Sequence, residues 1–140
     1  MFECVTKALV LEKIPMGDKD GLLTLYTERL GKVSVKARSL RKVTSKLSAH
    51  TEPGMLSLVR LVGKNPFQKT MGSFWLSDSL GERKLFSDFI FLDSVASLTT
   101  EFQADRELWQ FLLLGQPDSG ALFALLGFHP QEFLRRVQGA

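Results

Sequence analysis

The sequence contains one cysteine, Cys4, and two histidines, His50 and His129. A single cysteine cannot form an internal disulfide bond or a cysteine zinc cluster. Neither histidine has a neighbouring cysteine, aspartate or second histidine at the spacing of a metal site. The sequence therefore predicts no metal and no cofactor, and the lone thiol favours a reducing, cytoplasmic setting.

Long apolar runs are also missing. The longest unbroken one covers residues 121–126, whereas a membrane-spanning helix needs roughly 20 such residues. The N-terminal residues include an acidic one, Glu3. They lack the basic segment followed by an apolar segment that a secretory signal contains. We therefore expect a cytoplasmic protein with no membrane association.

Catalytic motifs are absent as well. The sequence has no G-x-x-x-x-G-K-[ST], G-x-G-x-x-G or G-x-S-x-G pattern, so it offers neither a usual phosphate-binding loop nor a serine nucleophile. Cys4 lies at the start of a predicted strand, which is more typical of a small buried side chain than of a nucleophile. The sequence predicts a protein that is not an enzyme; a hydrolase would need catalytic groups that these patterns do not supply.

Positive charge is concentrated in the first half of the chain. Residues 1–70 contain 13 Lys and Arg against six Asp and Glu, whereas residues 71–140 contain five against nine. Seven basic residues and no acidic one lie between Arg29 and Lys46. This asymmetry indicates a basic, anion-binding half joined to an acidic half. The alternative is a solvated basic surface with no partner.

The first eighty residues have the pattern of strands separated by turns. Apolar and polar residues alternate over 32–38, and Gly31 supplies a hairpin glycine just before them. Strands are predicted at residues 5–14, 22–28, 32–38, 55–62 and 67–76. Five strands with a longer connection between the third and the fourth favour an OB-fold, a small five-stranded β-barrel.

From about Gly81 the period of the apolar residues changes to that of helices. A helix is predicted over residues 82–100, with Leu85, Phe89, Leu92 and Ala96 on its buried stripe, widened by Phe86 and Ile90. Shorter helices are predicted over 105–114, over 119–126 and from Pro130 onwards, the first two capped by Asp105 and Asp118. We therefore expect a nucleic-acid-binding barrel over residues 1–80 and a short helical domain over residues 81–140. The helices either pack onto the barrel or need a partner chain to cover them.

The third predicted strand places several cations on one face. If Val33, Val35 and Ala37 face the interior, the alternating basic residues project outward about 6.6 Å apart, where they can follow a polyanionic backbone. Tyr26 is predicted on the exposed face of the second strand as a platform for base stacking, and basic residues continue into the loop after strand three. The predicted nucleic-acid-binding residues are Lys32, Lys36, Arg38, Arg41, Lys42, Lys46 and Tyr26.

Other aromatic residues in the barrel half are few. Phe74 and Trp75, near the end of the fifth predicted strand, are interpreted as core or domain-interface residues. With few stacking platforms, the pattern favours electrostatic binding to phosphates with little sequence preference.

The order and spacing of several short motifs resemble the N-terminal domain of the family of the bacterial DNA repair protein RecO. The resemblance is densest over residues 5–62 and continues more loosely into the helical half. The residues that carry it are Gly17-Asp18-x-Asp20-x-x-Leu23-x-Leu25-x-Thr27-x-x-x-Gly31-Lys32, Val35-x-Ala37-Arg38-x-x-Arg41, Ser45-Lys46-Leu47, Glu52-Pro53 and Leu125-Leu126-Gly127-Phe128-x-Pro130.

This resemblance implies a bacterial, nucleoid-associated protein with an OB-fold that binds single- and double-stranded DNA. Members of the family anneal complementary strands and, with the partner RecR, help a RecA-type recombinase replace single-strand-binding protein. By position, Lys32, Arg38 and Arg41 match basic places in the family's DNA-binding barrel. Members often carry a four-cysteine zinc site in a longer helical domain, which Cys4 alone cannot form.

Two other functions agree with the same patterns. The apolar helices over residues 82–114 could dock a partner protein, with the basic face incidental to that role. A general OB domain for RNA or single-stranded DNA is the other, because phosphate contacts do not distinguish the two sugars.

Overall fold

Five strands precede three helices in the computed structural model, which describes residues 2–18, 20–38, 50–63 and 74–127. The strands are β1 (Phe2–Met16), β2 (Asp20–Thr27), β3 (Gly31–Ala37), β4 (Met55–Gly63) and β5 (Phe74–Lys84). The helices are α1 (Phe89–Leu98), α2 (Arg106–Leu113) and α3 (Ser119–Leu125). No helix within these described ranges is long and apolar enough to cross a membrane.

The strands form a closed barrel in the order β1-β2-β3-β5-β4. The first half of β1 pairs with β4 and its second half pairs with β2, with a register shift between Val10 and Glu12. A bulge of this kind lets one long strand bend across two neighbours. A short parallel pairing between β3 and β5 completes the ring. The five-stranded OB-fold barrel predicted from the sequence is confirmed.

Alternation along the strands fills the barrel interior. Val33, Val35 and Ala37 of β3 are fully buried, and they share one apolar cluster with Leu23 and Leu25 of β2. Successive side chains of a strand point to opposite faces, so the residues between them lie on the outer surface. The inward face predicted for β3 is therefore confirmed.

A second apolar core joins the helices to the barrel. Phe91, Leu92 and Val95 of α1 and Trp109 of α2 belong to it, together with Tyr26 of β2. Burying one such side chain stabilises the fold by about 1.5–3 kcal/mol. The helices therefore cover part of the barrel's outer surface, as the first of the two alternatives predicted.

The first helix begins later than predicted. Residues 82–84 continue β5, where Arg83 pairs with Leu56 of β4. Helix α1 starts after Asp88, whose carboxylate accepts hydrogen bonds from the backbone N–H groups of Ile90 (3.0 Å) and Phe91 (3.1 Å). This cap satisfies backbone donors that a helix leaves unpaired at its start. The predicted helix over residues 82–100 is therefore wrong at its beginning.

The later start changes which residues of α1 are buried. Phe91 and Val95, which lie off the predicted stripe, are fully buried, whereas Phe89 and Ile90 are 61% and 77% exposed. The predicted stripe was counted from Leu85 and Phe86, which precede the helix, so the prediction of Phe89 and Ile90 as buried is wrong. The caps predicted for the next two helices, Asp105 and Asp118, are confirmed.

The fifth strand extends further than predicted. Among the described residues it covers Phe74–Lys84, whereas the prediction ended it at residue 76, so it runs past residue 80, where the domain boundary is predicted. Residues 67–73 and the helix predicted from Pro130 lie outside the described residues. The division into domains stays a prediction.

The turn between β2 and β3 packs tightly against the chain that leads into α2. Gly31 has a φ of 72°, and a Cβ atom at this position would collide with the backbone of Gln103 and come within 2.8 Å of the Ala104 nitrogen. Gly17 has a similar φ of 68°, but a Cβ there would meet no described atom within 4 Å. Both positions have a left-handed backbone, which favours glycine. At Gly31 the absence of a side chain is also required for the close packing against residues 103 and 104.

These two glycines form a matched pair for a stability measurement. Gly17→Ala places a side chain in the left-handed region, at a cost of about 1–2 kcal/mol. Gly31→Ala adds a steric collision worth about 1–3 kcal/mol more. We expect urea unfolding to give a clearly larger loss of stability for Gly31→Ala. Equal losses would contradict the close packing of the β2–β3 turn against residues 103 and 104.

Candidate nucleic-acid interface

The outer face of β3 has two ends in different surroundings. In the register of β2 with β3, Tyr26 pairs with Lys32 at one end and Leu22 pairs with Lys36 at the other. The helical layer lies over the Tyr26–Lys32 end. The two ends therefore differ in what their cations can bind.

Lys32 is bound within the protein. Its ammonium group donates hydrogen bonds to the carbonyl oxygens of Ala96 (2.6 Å) and Thr99 (2.7 Å) at the C-terminal end of α1. A cation at this end of a helix offsets the negative pole of the helix dipole. The backbone N–H of Phe102 also donates to the Lys32 carbonyl (2.9 Å). The prediction that Lys32 is free to bind a phosphate is corrected, because its donors hold the helix to the barrel.

Tyr26 is buried as well. The side chain is 1% exposed, and its ring stacks on Trp109 with centroids 6.4 Å apart and planes at 19°. Its hydroxyl oxygen accepts a hydrogen bond from the backbone N–H of Asp105 (3.2 Å). The prediction of Tyr26 as an exposed stacking platform is wrong. Tyr26 does lie on the outer face of β2, but helix α2 covers that face.

Lys36 and Arg38 remain on the accessible end of β3. Lys36 is half-buried and Arg38 is exposed. Within the described ranges neither forms an ion pair, and the ion pairs found there lie elsewhere, at Lys7–Glu82 (3.6 Å), Lys13–Glu52 (2.7 Å) and Arg60–Glu3 (3.4 Å). Both positive charges are therefore available to an anion from outside the protein.

Both cations contact the same aromatic ring. The Lys36 ammonium nitrogen lies 5.3 Å from the ring centroid of Trp75, and the Arg38 guanidinium carbon lies 4.5 Å from it. The negative face of an indole ring attracts such cations. Trp75 reaches them because β5 lies beside β3 and Trp75 is the register partner of Lys36.

Trp75 is the residue that the sequence analysis missed. Phe74 is buried in the barrel core, as predicted, but Trp75 is half-buried on the outer surface. The predicted strand over residues 67–76 already included these positions, and the alternation of Phe74, Trp75 and Leu76 along it was the signal for an outward ring, because Phe74 and Leu76 are buried. The prediction of Trp75 as a core or domain-interface residue is therefore wrong.

A cleft of about 440 Å³ opens beside this ring. We call it the Trp75 cleft, and it is lined by Arg38, Val62, Trp75, Leu76 and Ser77. Val62 of β4 pairs with Trp75 on the side opposite Lys36. The accessible surface therefore combines two cations, one aromatic ring and a small apolar cleft.

The remaining predicted contacts, Arg41, Lys42 and Lys46, lie outside the described residues. Their place in the sequence, directly after Arg38, is the basis for including them in a nucleic-acid site. Their role stays a prediction.

The described residues contain no group of three or more His, Cys, Asp or Glu side chains that could hold a metal ion. Cys4 is buried, and its burial raises the pKa of the thiol above the ordinary value. Since the thiolate is the nucleophilic form, this cysteine is protonated and unreactive at neutral pH.

Burial also affects the one tyrosine of the sequence. Desolvation raises the pKa of Tyr26 above its ordinary value of 10.0, although the Asp105 N–H group partly opposes this effect. Because the pKa is higher in the folded protein than in the unfolded chain, the neutral hydroxyl contributes to the free energy of unfolding. This contribution is fully present below pH 10 and is lost as the pH rises through the pKa of the folded protein.

We therefore expect the ultraviolet absorbance of tyrosinate to develop at a higher pH in the folded protein than in denaturant. The free energy of unfolding should also fall more steeply above pH 10 in the parent than in Tyr26→Phe. Since Tyr26 is the single tyrosine, its signal can be followed alone. Coincident titrations in folded and unfolded protein would contradict its burial.

Comparison with known proteins agrees with this fold. A family model described as Recombination protein O N terminal matches residues 1–70, half of the chain. The DNA repair protein RecO of Dehalococcoides mccartyi is 32% identical over 122 residues, which cover 83% of this chain and 48% of that protein. The RecO proteins of Heliobacterium modesticaldum and Thermodesulfovibrio yellowstonii are 48% identical over 60 residues and 36% identical over 59 residues. Each of these two matches covers 42% of this chain, and 22% and 24% of the respective relative.

The chain thus spans about half the length, or less, of the curated relatives that it matches. The matched family model covers β1 to β4, which include the β3 strand that carries the accessible cations. On this evidence, the chain belongs to the RecO family.

Proposed function

We propose that this chain is a non-enzymatic DNA-binding protein of recombinational DNA repair. In this proposal, Lys36 and Arg38 hold the backbone phosphates of single- and double-stranded DNA. The observation that carries the proposal is the pair of neighbouring cations, Lys36 near the end of β3 and Arg38 directly after it, that no described carboxylate neutralises. The curated relatives, which are named DNA repair proteins, support the biological setting.

The spacing of the two cations suits a polyanion. Lys36 lies near the end of β3 and Arg38 directly follows that strand. Both side chains contact the Trp75 ring, so they are close enough together to reach phosphates of one backbone. The planar guanidinium of Arg38 donates in a fork that matches phosphate oxygens, and Lys36 adds a compact point charge. Contacts of this kind are independent of base sequence.

The surroundings also hold the two cations near their binding positions. Val33, Val35 and Ala37 fix the β3 backbone from inside the barrel, and the Trp75 ring attracts both side chains from outside. Long basic side chains lose up to about 2 kcal/mol of rotamer freedom when they are fixed. Part of that cost is already met before DNA arrives, so less of the binding energy is lost.

The more detailed parts of the proposal rest on membership of the RecO family. Arg41, Lys42 and Lys46 would extend the phosphate contacts along the chain after Arg38. Strand annealing and recombinase loading, with RecR, single-strand-binding protein and a RecA-type recombinase as partners, would follow from membership of the RecO family. The relatives are more than twice as long as the segments matched.

A second candidate function is the docking of a partner protein by the helices. The observation that favours it is the exposure of three large apolar side chains, Phe89, Ile90 and Leu114, which are 61%, 77% and 67% exposed. Phe89 and Ile90 are neighbours at the start of α1, and adjoining exposed apolar side chains can mark an interaction site. A partner bound there with no DNA binding by the purified chain would favour this function.

Fluorescence anisotropy with a labelled single strand, at several salt concentrations, tests the DNA-binding proposal. Replacing both cations, in Lys36→Gln/Arg38→Gln, removes two phosphate contacts. We expect the affinity to fall by roughly tenfold. The slope of log affinity against log salt should decrease by roughly 0.7 for each contact. Competition by a duplex of equal length should be effective, and a duplex that does not compete would contradict the binding of double-stranded DNA.

Lys32→Gln and Lys36→Gln provide a matched comparison, because they remove the same charge from the same strand face. Lys32→Gln should lower the free energy of unfolding by about 2 kcal/mol, since two charge-assisted hydrogen bonds are lost. It should leave the DNA affinity of the folded protein unchanged. Lys36→Gln should do the reverse. Equal losses of affinity in the two variants would mean that net charge, and not this site, governs binding.

A further inference from the structure

We propose that Trp75 is a base-stacking position, so that the accessible end of β3 binds an unpaired nucleobase as well as phosphates. The inference rests on the proposed function and names the form of nucleic acid that the same site prefers. A nucleotide carries an anionic phosphate next to a flat, largely apolar base. The site offers a matching pair of features: cations that can bind the phosphate and, beside them, an aromatic ring that can bind the base.

The position of Trp75 follows from the barrel pairing. Phe74 and Leu76 point into the core, so Trp75 lies on the outer surface. Its register partners are Lys36 on β3 and Val62 on β4. One row across three strands therefore runs from a cation, through an aromatic ring, to an aliphatic side chain.

The Trp75 cleft supplies space beside the ring. It has a volume of about 440 Å³, and Val62 and Leu76 give it an apolar lining. Ser77 is exposed at the same cleft and can offer a hydroxyl group to a base edge. Aromatic side chains beside a groove bind nucleobases by stacking. This binding depends little on the base sequence, because every base has a flat face.

Arg38 connects the two parts of the site. Its guanidinium lies 4.5 Å from the Trp75 ring centroid, and within the described ranges no carboxylate holds it there. A base that binds can replace the guanidinium on the face of the Trp75 ring. The exposed guanidinium can then turn to the phosphate next to that base. The site then keeps a planar group on the ring and gains a charge-assisted contact.

Duplex DNA cannot use the ring in this way, because each base face inside a duplex is covered by the next pair. Recognition by stacking is therefore restricted to unpaired bases. Phosphate contacts by Lys36 and Arg38 remain open to both forms. We accordingly expect Trp75 to add a preference for single strands to a site that also binds duplexes.

Intrinsic fluorescence can report on this ring alone. The sequence contains two tryptophans, and the other, Trp109, is 3% exposed. Its indole N–H has no hydrogen-bond partner among the described residues, so Trp109→Phe removes no hydrogen bond there. The Trp109→Phe protein is therefore the parent for the test, with Trp75 as its single tryptophan.

Three labelled ligands of equal length distinguish binding to the cations from stacking on the Trp75 ring. They are an oligothymidylate, a blunt duplex and an abasic deoxyribose-phosphate strand. We expect all three to bind by anisotropy and only oligothymidylate to quench Trp75 strongly. In an otherwise unmutated chain, Trp75→Leu should lower the affinity for oligothymidylate by about tenfold. It should lower the affinity for the other two ligands by a smaller and similar factor, because they use the cations that the ring holds but no stacked base. Equal losses for all three ligands would contradict stacking.

Control variants distinguish stacking from other effects. Trp75→Phe keeps an aromatic ring and should keep most of the oligothymidylate affinity, so a loss caused by misfolding would be recognised. Lys36→Gln should weaken all three ligands. Binding of all three with no quenching and no effect of Trp75→Leu would overturn the stacking inference and leave the phosphate site intact. A parent that binds neither the duplex nor the abasic strand would instead overturn the proposed function.

Discussion

The parallel pairing of β3 with β5 is the constraint on which the rest of the structure depends. It closes the barrel by bringing Val35 beside Phe74 in the core. On the outer surface the same pairing brings Lys36 beside Trp75, across nearly forty positions of sequence. One pairing therefore gives both the closure of the barrel and the contact between cations and an aromatic ring.

The helical layer determines which basic residues of β3 remain free. Lys32 and Lys36 lie on the same face of one strand, yet the carbonyl groups at the end of α1 bind the first and leave the second accessible. The helices also cover Tyr26 through Trp109. Gly31 allows the close approach of the chain that leads into α2. The helices therefore stabilise the barrel and limit its binding surface to the end that carries Trp75.

Local patterns in the sequence were sufficient for much of the barrel. Alternation over residues 32–38 predicted the inward face of β3, and Gly31 predicted the turn before it. Asp105 and Asp118 predicted the starts of α2 and α3, because a capping carboxylate acts on the backbone of its own segment. These features depend on residues that are close in sequence, so they can be read without knowing the fold.

The errors share a different cause, since each depends on which distant elements pack together. Period-two alternation places Tyr26 and Lys32 on the outer face but does not show that helices cover that face. Trp75 was assigned to the core although the predicted strand included it, because its partners lie on β3 and β4, which are distant in sequence. In α1 the predicted stripe included Phe89 and Ile90, whereas Phe91 and Val95 are buried because they pack with residues of β1 and α2. Long-range contact, and not local propensity, determines the binding surface.

Nuclear magnetic resonance with isotope-labelled protein tests the central claim most directly. Adding an unlabelled single-stranded oligonucleotide should shift the indole N–H signal of Trp75 and the backbone signals of Lys36 and Arg38. The signals of Trp109 and Lys32 should stay in place, since both residues are bound within the fold. Shifts centred on Phe89 and Ile90, with none at Trp75 and Lys36, would contradict the account.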